Sequence, residues 1–196
     1  NDRQFISNKD TGIYMSILIN PNCLIEESLK ITILTSVAVL SAIKSVYNLD
    51  VKLKWVNDII LNDLKVGGIL CESQINLNTN IIDNMIVGIG INVKEFDFPP
   101  SLKNIATSIE NNTNIKISRN ELISEIINFF DLYFIDNKNY LNLYKENSYV
   151  LGKDITVIQN DRQFFAKAID IEDNGALIVQ EQEKIIKLIS SDISIR

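Results

Sequence analysis

The sequence predicts an α+β fold in which a sheet with flanking helices is followed by a small β-barrel. Two long segments with apolar residues at helical spacing lie among strand-like segments before Gly152, and only short strand-like segments follow it. The 196 residues are 46% hydrophobic and 22% charged, which is typical of a globular protein. The chain is therefore long enough for one sizeable domain and a small second one.

The first strand is predicted at residues 13–19, a continuous apolar run rich in β-branched residues that ends at Asn20-Pro21. A long amphipathic helix is predicted at 25–47, with two glutamates in its first turn, where acids complement the helix dipole. The remaining predictions for this part are strands at 51–55, 59–61, 66–75 and 85–93, a turn at Asn62-Asp63 and a loop at 97–100.

A second helix is predicted from Ser118 to about Ile135, because Ser118 and Glu121 have the spacing of a capping box. A short helix is predicted at 139–146. After Gly152 the pattern changes to short strands separated by turn sequences, of which Asp173-Asn174-Gly175 is one. These strands are predicted at 155–158, 164–171, 176–179 and 185–189, with a further turn at Asn160-Asp161. Since no low-complexity linker separates the two parts, we expect them to pack closely.

The composition excludes several classes of function. The absence of histidine removes Ser-His-Asp and Cys-His catalysis and the commonest zinc ligand. A net charge of −6 argues against an extended nucleic-acid footprint. Cys23 and Cys71 are expected to be free thiols in a reducing compartment. We find neither a signal peptide nor an apolar run of about 18 residues, so we expect a cytoplasmic protein without a membrane partner.

The segment from Lys54 to Leu70 carries an unusual set of residues. Lys54-Trp55-Val56-Asn57-Asp58 ends one strand, and Lys65-Val66-Gly67-Gly68 begins another. Glycine weakens a strand unless something must approach its backbone closely, and a lysine beside such a gap suits a carboxylate or phosphate. The alternatives are that the lysine is a solvated strand end and that Asn-Asp only makes a turn.

A second glycine motif, Gly88-Ile89-Gly90-Ile91-Asn92, lies on a neighbouring predicted strand. Both glycines face the same side, because side chains alternate along a strand, and this side would present bare backbone to a flat, uncharged ring system. Close helix–sheet packing or a bulge is the alternative. The motif lacks the strand-to-helix turn of a dinucleotide-binding fingerprint.

Together, three motifs resemble the biotin protein ligase family: Lys-Trp-x-Asn-Asp at 54–58, Lys-x-x-Gly-Ile-Leu at 65–70 and Gly-x-Gly-Ile-Asn at 88–92. The resemblance covers essentially the whole chain, from the strand at 13–16 to the barrel end at 193–196. It implies a mixed sheet like that of class II aminoacyl-tRNA synthetases and biotin ligases in residues 1–149, and an SH3-like barrel in residues 150–196.

The resemblance implies a two-step ligase. Biotin and ATP would form biotinyl-5′-AMP and pyrophosphate, and a lysine of a biotin carboxyl carrier protein would then take the biotin. Such chemistry requires positioning, Mg²⁺ and cations rather than a histidine base. Lys65 would be the catalytic residue and would contact the biotin carboxylate. The other implied residues are Gly68, Leu70, Gly88 and Gly90 for biotin, and Arg3, Phe5, Lys54, Asn57, Asn92 and Arg196 for ATP and the adenylate. Independently of the resemblance, the Asp58 carboxylate is a candidate ligand for a Mg²⁺ ion that bridges phosphates.

Some residues depart from the family pattern. Val56 stands where the family has proline, and Asp2 stands where the phosphate loop of the family has glycine. Arg3 matches the last arginine of that loop, and Phe5 replaces its tryptophan. Since the sequence thus begins inside the loop, we expect the 196 residues to be a portion of a longer protein.

Two other functions are compatible with the same fold. One is a lipoate or octanoate transferase, against which the Lys-Trp-x-Asn-Asp motif and the terminal barrel argue. The other is a biotin-responsive transcriptional repressor, for which DNA would be a partner if a helix-turn-helix lay upstream. The resemblance also allows a homodimer.

Overall fold

The structure, a computed structural model, describes residues 10–76, 78–136, 139–159 and 162–195. The elements of the first part are β1 (Gly12–Ile19), β2 (Cys23–Leu24), α1 (Ser28–Tyr47), β3 (Lys52–Lys54), β4 (Asp58–Leu61), β5 (Leu64–Asn76), β6 (Ile81–Asn92), α2 (Arg119–Asp136) and α3 (Tyr140–Glu146). The strands that follow are β7 (Asp154–Gln159), β8 (Arg162–Ile171), β9 (Leu177–Glu181), β10 (Lys184–Leu188) and β11 (Asp192–Ile195). This arrangement confirms the predicted α+β class.

The first sheet has the strand order β1-β6-β5-β4-β3, and β2 pairs with β6. All of its ladders among the described residues are antiparallel, and parallel pairing is confined to isolated bridges at Leu53–Ser148 and Lys65–Ala106. For β3 to β6 the reason is that these strands follow one another through short connections, whereas a parallel neighbour requires a crossover. The predicted turn between β4 and β5 is confirmed, with Asn62 and Asp63 both at positive φ.

Helix α1 is the central element of the core and differs from its prediction. It begins at Ser28, after a short 3-10 turn at Ile25–Glu27, and every residue from Ile31 to Leu40 is buried. The helix is not amphipathic there, because it contacts the first sheet as well as α2 and α3. Residues 25–47 are also long and apolar enough to cross a membrane, contrary to our expectation of no such run. Of the 18-residue stretch that meets this criterion, however, 67% is buried inside the protein.

Helix α2 begins where the capping pattern predicts. The backbone N–H of Glu121 donates to Ser118 Oγ at 3.4 Å, which is one half of the predicted capping box. The backbone N–H of Ser118 donates instead to the Tyr47 hydroxyl at 3.1 Å. The end of α1 therefore helps to cap the start of α2.

The C-terminal strands form a second antiparallel sheet with the order β10-β9-β8-β7-β11. Strands β7 to β10 lie where the barrel strands were predicted, whereas β11, at the barrel end implied by the resemblance, was not among the predicted strands. The turn at Asn160-Asp161 lies outside the described residues. Buried side chains of both sheets belong to one hydrophobic cluster, so the two parts pack closely, as predicted. The division at residues 149 and 150 stays a prediction. Cys23 and Cys71 are both free thiols.

Candidate active site

The two faces of the first sheet differ. Along β6, Met85, Val87, Ile89 and Ile91 are buried, whereas the residues between them are exposed or half-buried. Alternation along the strand places the second set on the opposite face, which we call the open face. Gly88 and Gly90 therefore share the open face, as the motif predicts.

The register of the sheet places a row of four residues across the open face. Tyr14 of β1 pairs with Gly90 of β6, Gly90 with Gly68 of β5, and Gly68 with Asp58 of β4. The two central positions of this row have no side chain. A shallow strip of backbone is thus bounded by a phenol on one side and a carboxylate on the other.

A second row lies beside the first. Ser16 pairs with Gly88, and Gly88 pairs with Leu70, whose side chain is 62% exposed. We call the surface formed by Gly68, Gly88 and Gly90 the glycine trough. It has the bare backbone that a flat ring system requires, with an exposed leucine beside it.

A β-bulge determines the position of Lys65. Strand β4 pairs Ile59 with Gly67 and Ile60 with Lys65, so Val66 is an extra residue in β5. A bulge of this kind changes the face on which the following side chains lie. It allows Lys65 to reach the open face, although Gly68 lies three residues later.

The Lys65 ammonium lies over Gly68. A Cβ atom at Gly68 would meet Lys65 Cε and Nζ at 3.3 Å, so the absence of a side chain provides room for the lysine. The ammonium forms an ion pair with the Asp58 carboxylate. The Lys65 side chain is nevertheless 43% exposed. The structure thus holds a solvent-accessible cation at the end of the glycine trough, where it can meet an anionic group.

The turn before β4 is hydrogen-bonded to β5. The Asn57 carbonyl accepts from the Ile69 N–H at 2.8 Å, and Asn57 Nδ2 donates to the Ile69 carbonyl at 2.9 Å. Lys54 pairs with Asp58 across the β3–β4 ladder. The fold therefore brings Lys54, Asn57 and Asp58 to the same end of the trough as Lys65.

A loop segment absent from our sequence predictions joins two of the predicted site residues. The backbone N–H of Thr107 donates to the Lys65 carbonyl at 2.9 Å, and the Thr107 carbonyl accepts from Asn92 Nδ2 at 3.1 Å. The Lys65 N–H donates to the Ile105 carbonyl at 2.9 Å. Residues 105–107 thus fix the positions of Lys65 and Asn92 relative to each other. No local pattern in the sequence indicated this role for the segment.

Glu110 lies three residues after Thr107 and connects the loop that follows it with the residues after β6. Its side chain is only 4% exposed, and it accepts from the Ile117 N–H at 2.9 Å and from Lys94 Nζ at 3.2 Å. Burial raises the pKa of Glu110, but the hydrogen bonds from Ile117 and Lys94 outweigh it, and the pKa lies below its ordinary value. The carboxylate is therefore charged near neutral pH.

We expect acid to weaken the fold through Glu110. Since its pKa is lower in the folded than in the unfolded chain, its stabilisation is complete above the unfolded pKa of about 4.3 and disappears as pH falls through the folded pKa. Glu110→Gln should lower the free energy of unfolding by about 2 kcal/mol at neutral pH. Urea unfolding from about pH 7 to pH 3 measures this difference, which should shrink below about pH 4.3. A difference independent of pH would contradict the assignment.

The described structure brings the predicted site residues together as follows. Gly68, Gly88 and Gly90 form the trough, and Leu70 lies beside it. Asn92 follows two residues after Gly90 on the same face of β6. Arg3, Phe5 and Arg196, like Asp2, lie outside the described residues.

Tyr14 and Ser16 were not among the predicted site residues, because residues 13–19 were predicted to form a buried strand. The alternating burial of β1 beyond Ile13 places them on the open face opposite the two glycines of β6. The available signal was their alternation with the apolar residues Ile13, Met15 and Ile17, but it is weak because Tyr14 and the nearby Leu18 are themselves largely apolar.

Asp58 was predicted as a metal ligand, and this stays a prediction. Among the described residues there is no group of three or more Asp, Glu, His or Cys side chains that could hold a metal ion. Asp58 is also ion-paired with Lys65. Mg²⁺ can bind through one carboxylate when substrate phosphates and water supply its remaining ligands, so this donor set fits a metal that arrives with a nucleotide.

Two family models match the chain. The Biotin/lipoate A/B protein ligase family model matches residues 2–92, and the Biotin protein ligase C terminal domain model matches residues 150–196. A bifunctional ligase/repressor from Bacillus spizizenii is 32% identical over 200 residues, which cover 98% of this chain and 61% of that protein. The chain thus spans about three fifths of the length of this curated relative.

Solved structures show the same fold. The biotin protein ligase from Aquifex aeolicus is 25% identical, with a TM-score of 0.81, covering 96% of this chain and 84% of the other. A structure of that ligase in complex with biotin and ATP is 22% identical, with a TM-score of 0.84, covering 99% of this chain and 82% of the other. The fold and the family model that matches residues 2–92 define the class of biotin and lipoate ligases. Because the C-terminal model also matches, the chain belongs to the biotin protein ligase family.

Proposed function

We propose that this chain is the catalytic part of an ATP-dependent biotin protein ligase, which activates biotin as biotinyl-5′-AMP and transfers it to a lysine of a biotin carboxyl carrier protein. The observation that carries the proposal is the Lys65 ammonium, held by Asp58 over Gly68 at the end of the glycine trough. The relatives support it, since one is named a ligase/repressor and another was solved with biotin and ATP.

In this proposal biotin lies along the glycine trough. Gly68, Gly88 and Gly90 leave room for its uncharged bicyclic ring, and the exposed Leu70 side chain contributes an apolar contact beside it. The carboxylate of the biotin side chain then points towards the Lys65 ammonium. Because the Lys65 side chain is partly exposed, its compact ammonium can contact the biotin carboxylate while it stays paired with Asp58.

The first step forms the mixed anhydride. A biotin carboxylate oxygen attacks the α-phosphorus of ATP, a P–O bond forms, and the bond to the leaving pyrophosphate breaks. Lys65 stabilises the negative charge on the α-phosphate as this occurs. Lys54, Asn57 and Asn92 bind the adenylate end, and Mg²⁺, with Asp58 as its protein ligand, supplies charge neutralisation at the phosphates when it is bound.

The second step releases AMP. The amine of the carrier lysine attacks the carbonyl carbon of biotinyl-5′-AMP, an amide bond forms, and the bond to the adenylate oxygen breaks while the amine loses a proton. AMP is a good leaving group, so the main task of the protein is to hold the anhydride and exclude water. The cytoplasmic location expected from the sequence is part of this proposal.

Exchange of labelled pyrophosphate into ATP tests the first step in the full-length protein. We expect exchange with biotin and much slower exchange with lipoate or octanoate, because neither carries the bicyclic ring that the trough is proposed to bind. Transfer to a carrier protein, with a carrier whose acceptor lysine is replaced by arginine as control, tests the second step. Absence of exchange together with absence of biotin binding in calorimetry would overturn the proposal, and preference for lipoate would favour the transferase.

A second candidate function is biotin-dependent repression, which the name of the Bacillus relative favours. It is compatible with ligase activity, because a bound adenylate can also serve as the regulatory ligand. DNA binding by the full-length protein, measured with and without biotin and ATP, tests it. Sedimentation of the same samples tests for a homodimer.

A further inference from the structure

The indole of Trp55 connects the candidate active site to the C-terminal sheet. Trp55 follows Lys54 directly, and its side chain is only 3% exposed. Its Nε1–H donates to the carbonyl of Gly175 at 3.0 Å, a residue 120 positions later in the turn between β8 and β9. A buried hydrogen bond of this kind fixes both partners, since breaking it leaves a polar group unsatisfied.

The turn that contains Gly175 packs closely against α1. This packing fixes the position of the Gly175 carbonyl, which accepts the hydrogen bond. Gly175 has a φ of +91°, and a Cβ atom there would meet Ile33 Cδ1 at 2.9 Å and Leu29 Cβ at 3.0 Å. A glycine is therefore required both by the backbone conformation and by the close approach. The Gly175 N–H also donates to the Glu172 carbonyl at 2.8 Å, which closes the turn.

The residues that follow Trp55 are held by two other elements. The Val56 carbonyl accepts from the hydroxyl of Tyr144 in α3 at 3.2 Å. Tyr144 is fully buried, and burial, together with the nearby Asp58 carboxylate, raises the pKa of its phenol well above the ordinary value, so the donor stays protonated. Asn57 is doubly hydrogen-bonded to Ile69 of β5.

The turn at 55–57 thus contacts three separate parts of the molecule. Trp55 is hydrogen-bonded to the C-terminal sheet, Val56 to α3 and Asn57 to β5. The next residue is Asp58, which pairs with Gly68 and forms the ion pair with Lys65. A displacement of the turn would therefore move the carboxylate that holds the Lys65 ammonium.

We propose that Trp55 is a positioning residue. Through its hydrogen bond to Gly175, the packing of the C-terminal sheet on α1 determines where Asp58 holds the Lys65 ammonium. The proposal rests on the ligase function proposed above. Trp55 is buried and lies off the open face, so it acts on the reaction only through the neighbouring residues Lys54, Asn57 and Asp58 and, through Asp58, on Lys65. Because the trough glycines lie on β5 and β6 rather than in the turn, we expect loss of the indole N–H to change the chemical step more than biotin binding.

The test is Trp55→Phe in the full-length protein, which keeps an aromatic ring and removes the donor. Since catalysis is sensitive to small displacements of a reacting cation, we expect the kcat of exchange to fall by about tenfold, with the KM for biotin changed by less than about threefold. Tyr47→Phe is the matched control, because Tyr47 is also a buried aromatic residue whose hydroxyl donates to a backbone carbonyl, that of Ser118, at 3.1 Å. Its kcat should stay within about twofold of the wild-type value.

The smaller ring of phenylalanine also leaves a cavity, which can lower stability by itself. Replacement of Trp55 with 3-benzothienylalanine, which keeps the bicyclic shape and lacks the N–H, separates the two effects and should lower kcat to the same extent. An unchanged kcat in the benzothienyl protein would overturn the proposal, as would an equal loss in Tyr47→Phe. A wild-type protein without exchange activity would instead overturn the proposed ligase function.

Discussion

Replacing Lys65 by alanine is expected to lower the kcat of biotin-dependent exchange by about 100- to 1000-fold, the usual effect of removing one group that stabilises developing charge. The ammonium lies over Gly68 at the end of the trough, where the biotin carboxylate and the α-phosphate would meet. Steady-state exchange measures kcat, and calorimetry measures biotin binding separately. Biotin binding should weaken less than kcat, because the trough that takes the ring is unchanged.

Lys187→Ala is the matched control for this prediction. The Lys187 side chain is 43% exposed, the same fraction as Lys65, and it is also ion-paired with a carboxylate, that of Glu172. It lies in β10 of the C-terminal sheet. If Lys65→Ala retained a kcat within about threefold of wild type, or if Lys187→Ala lost as much activity, the catalytic assignment of Lys65 would be wrong.

Placing a leucine at Gly88 is expected to abolish measurable biotin binding, with a rise in Kd of at least about 100-fold. A Cβ atom at Gly88 would approach the Leu70 carbonyl oxygen to 3.3 Å and Leu70 Cβ to 3.8 Å, so the backbone can accept it with a small adjustment. The rest of the leucine side chain would then fill the trough. Calorimetry with biotin measures the loss.

Glu72→Leu is the control for the trough. Glu72 lies on β5 two residues after Leu70, pairs with Ile86 and is exposed. The substitution adds the same side chain to the sheet outside the three glycines, and its Kd for biotin should equal that of wild type. Circular dichroism of both variants tests whether they fold. Wild-type affinity in Gly88→Leu would show that biotin does not occupy the trough.

Much of the fold could be predicted from local patterns. The turn at Asn62-Asp63 and the helix start at Ser118 depend on residues within one turn of each other, so short-range chemistry decides them. The two-residue strand β2 was missed because it is too short to show alternation. The burial of α1 was underestimated, since it depends on where α2 and α3 pack.

The site was predictable only in part, as a comparison of two pairs of residues shows. Alternation along β6 predicts that Gly88 and Gly90 share a face, and the structure confirms it. The same rule would place Lys65 and Gly68, three residues apart, on opposite faces. The bulge at Val66 brings them together, and a bulge is a property of the pairing between β4 and β5.

The sequence by itself determined which chemical groups this protein can use: a lysine, paired glycines and an Asn-Asp turn, with no histidine. These are properties of short segments, whose conformation depends on neighbours along the chain. Only the tertiary structure decided that Asp58 holds Lys65 over Gly68, that Thr107 joins Lys65 to Asn92, and that Trp55 reaches Gly175. Those contacts depend on strand pairing, a bulge and the packing of the C-terminal sheet on α1, which no single segment specifies.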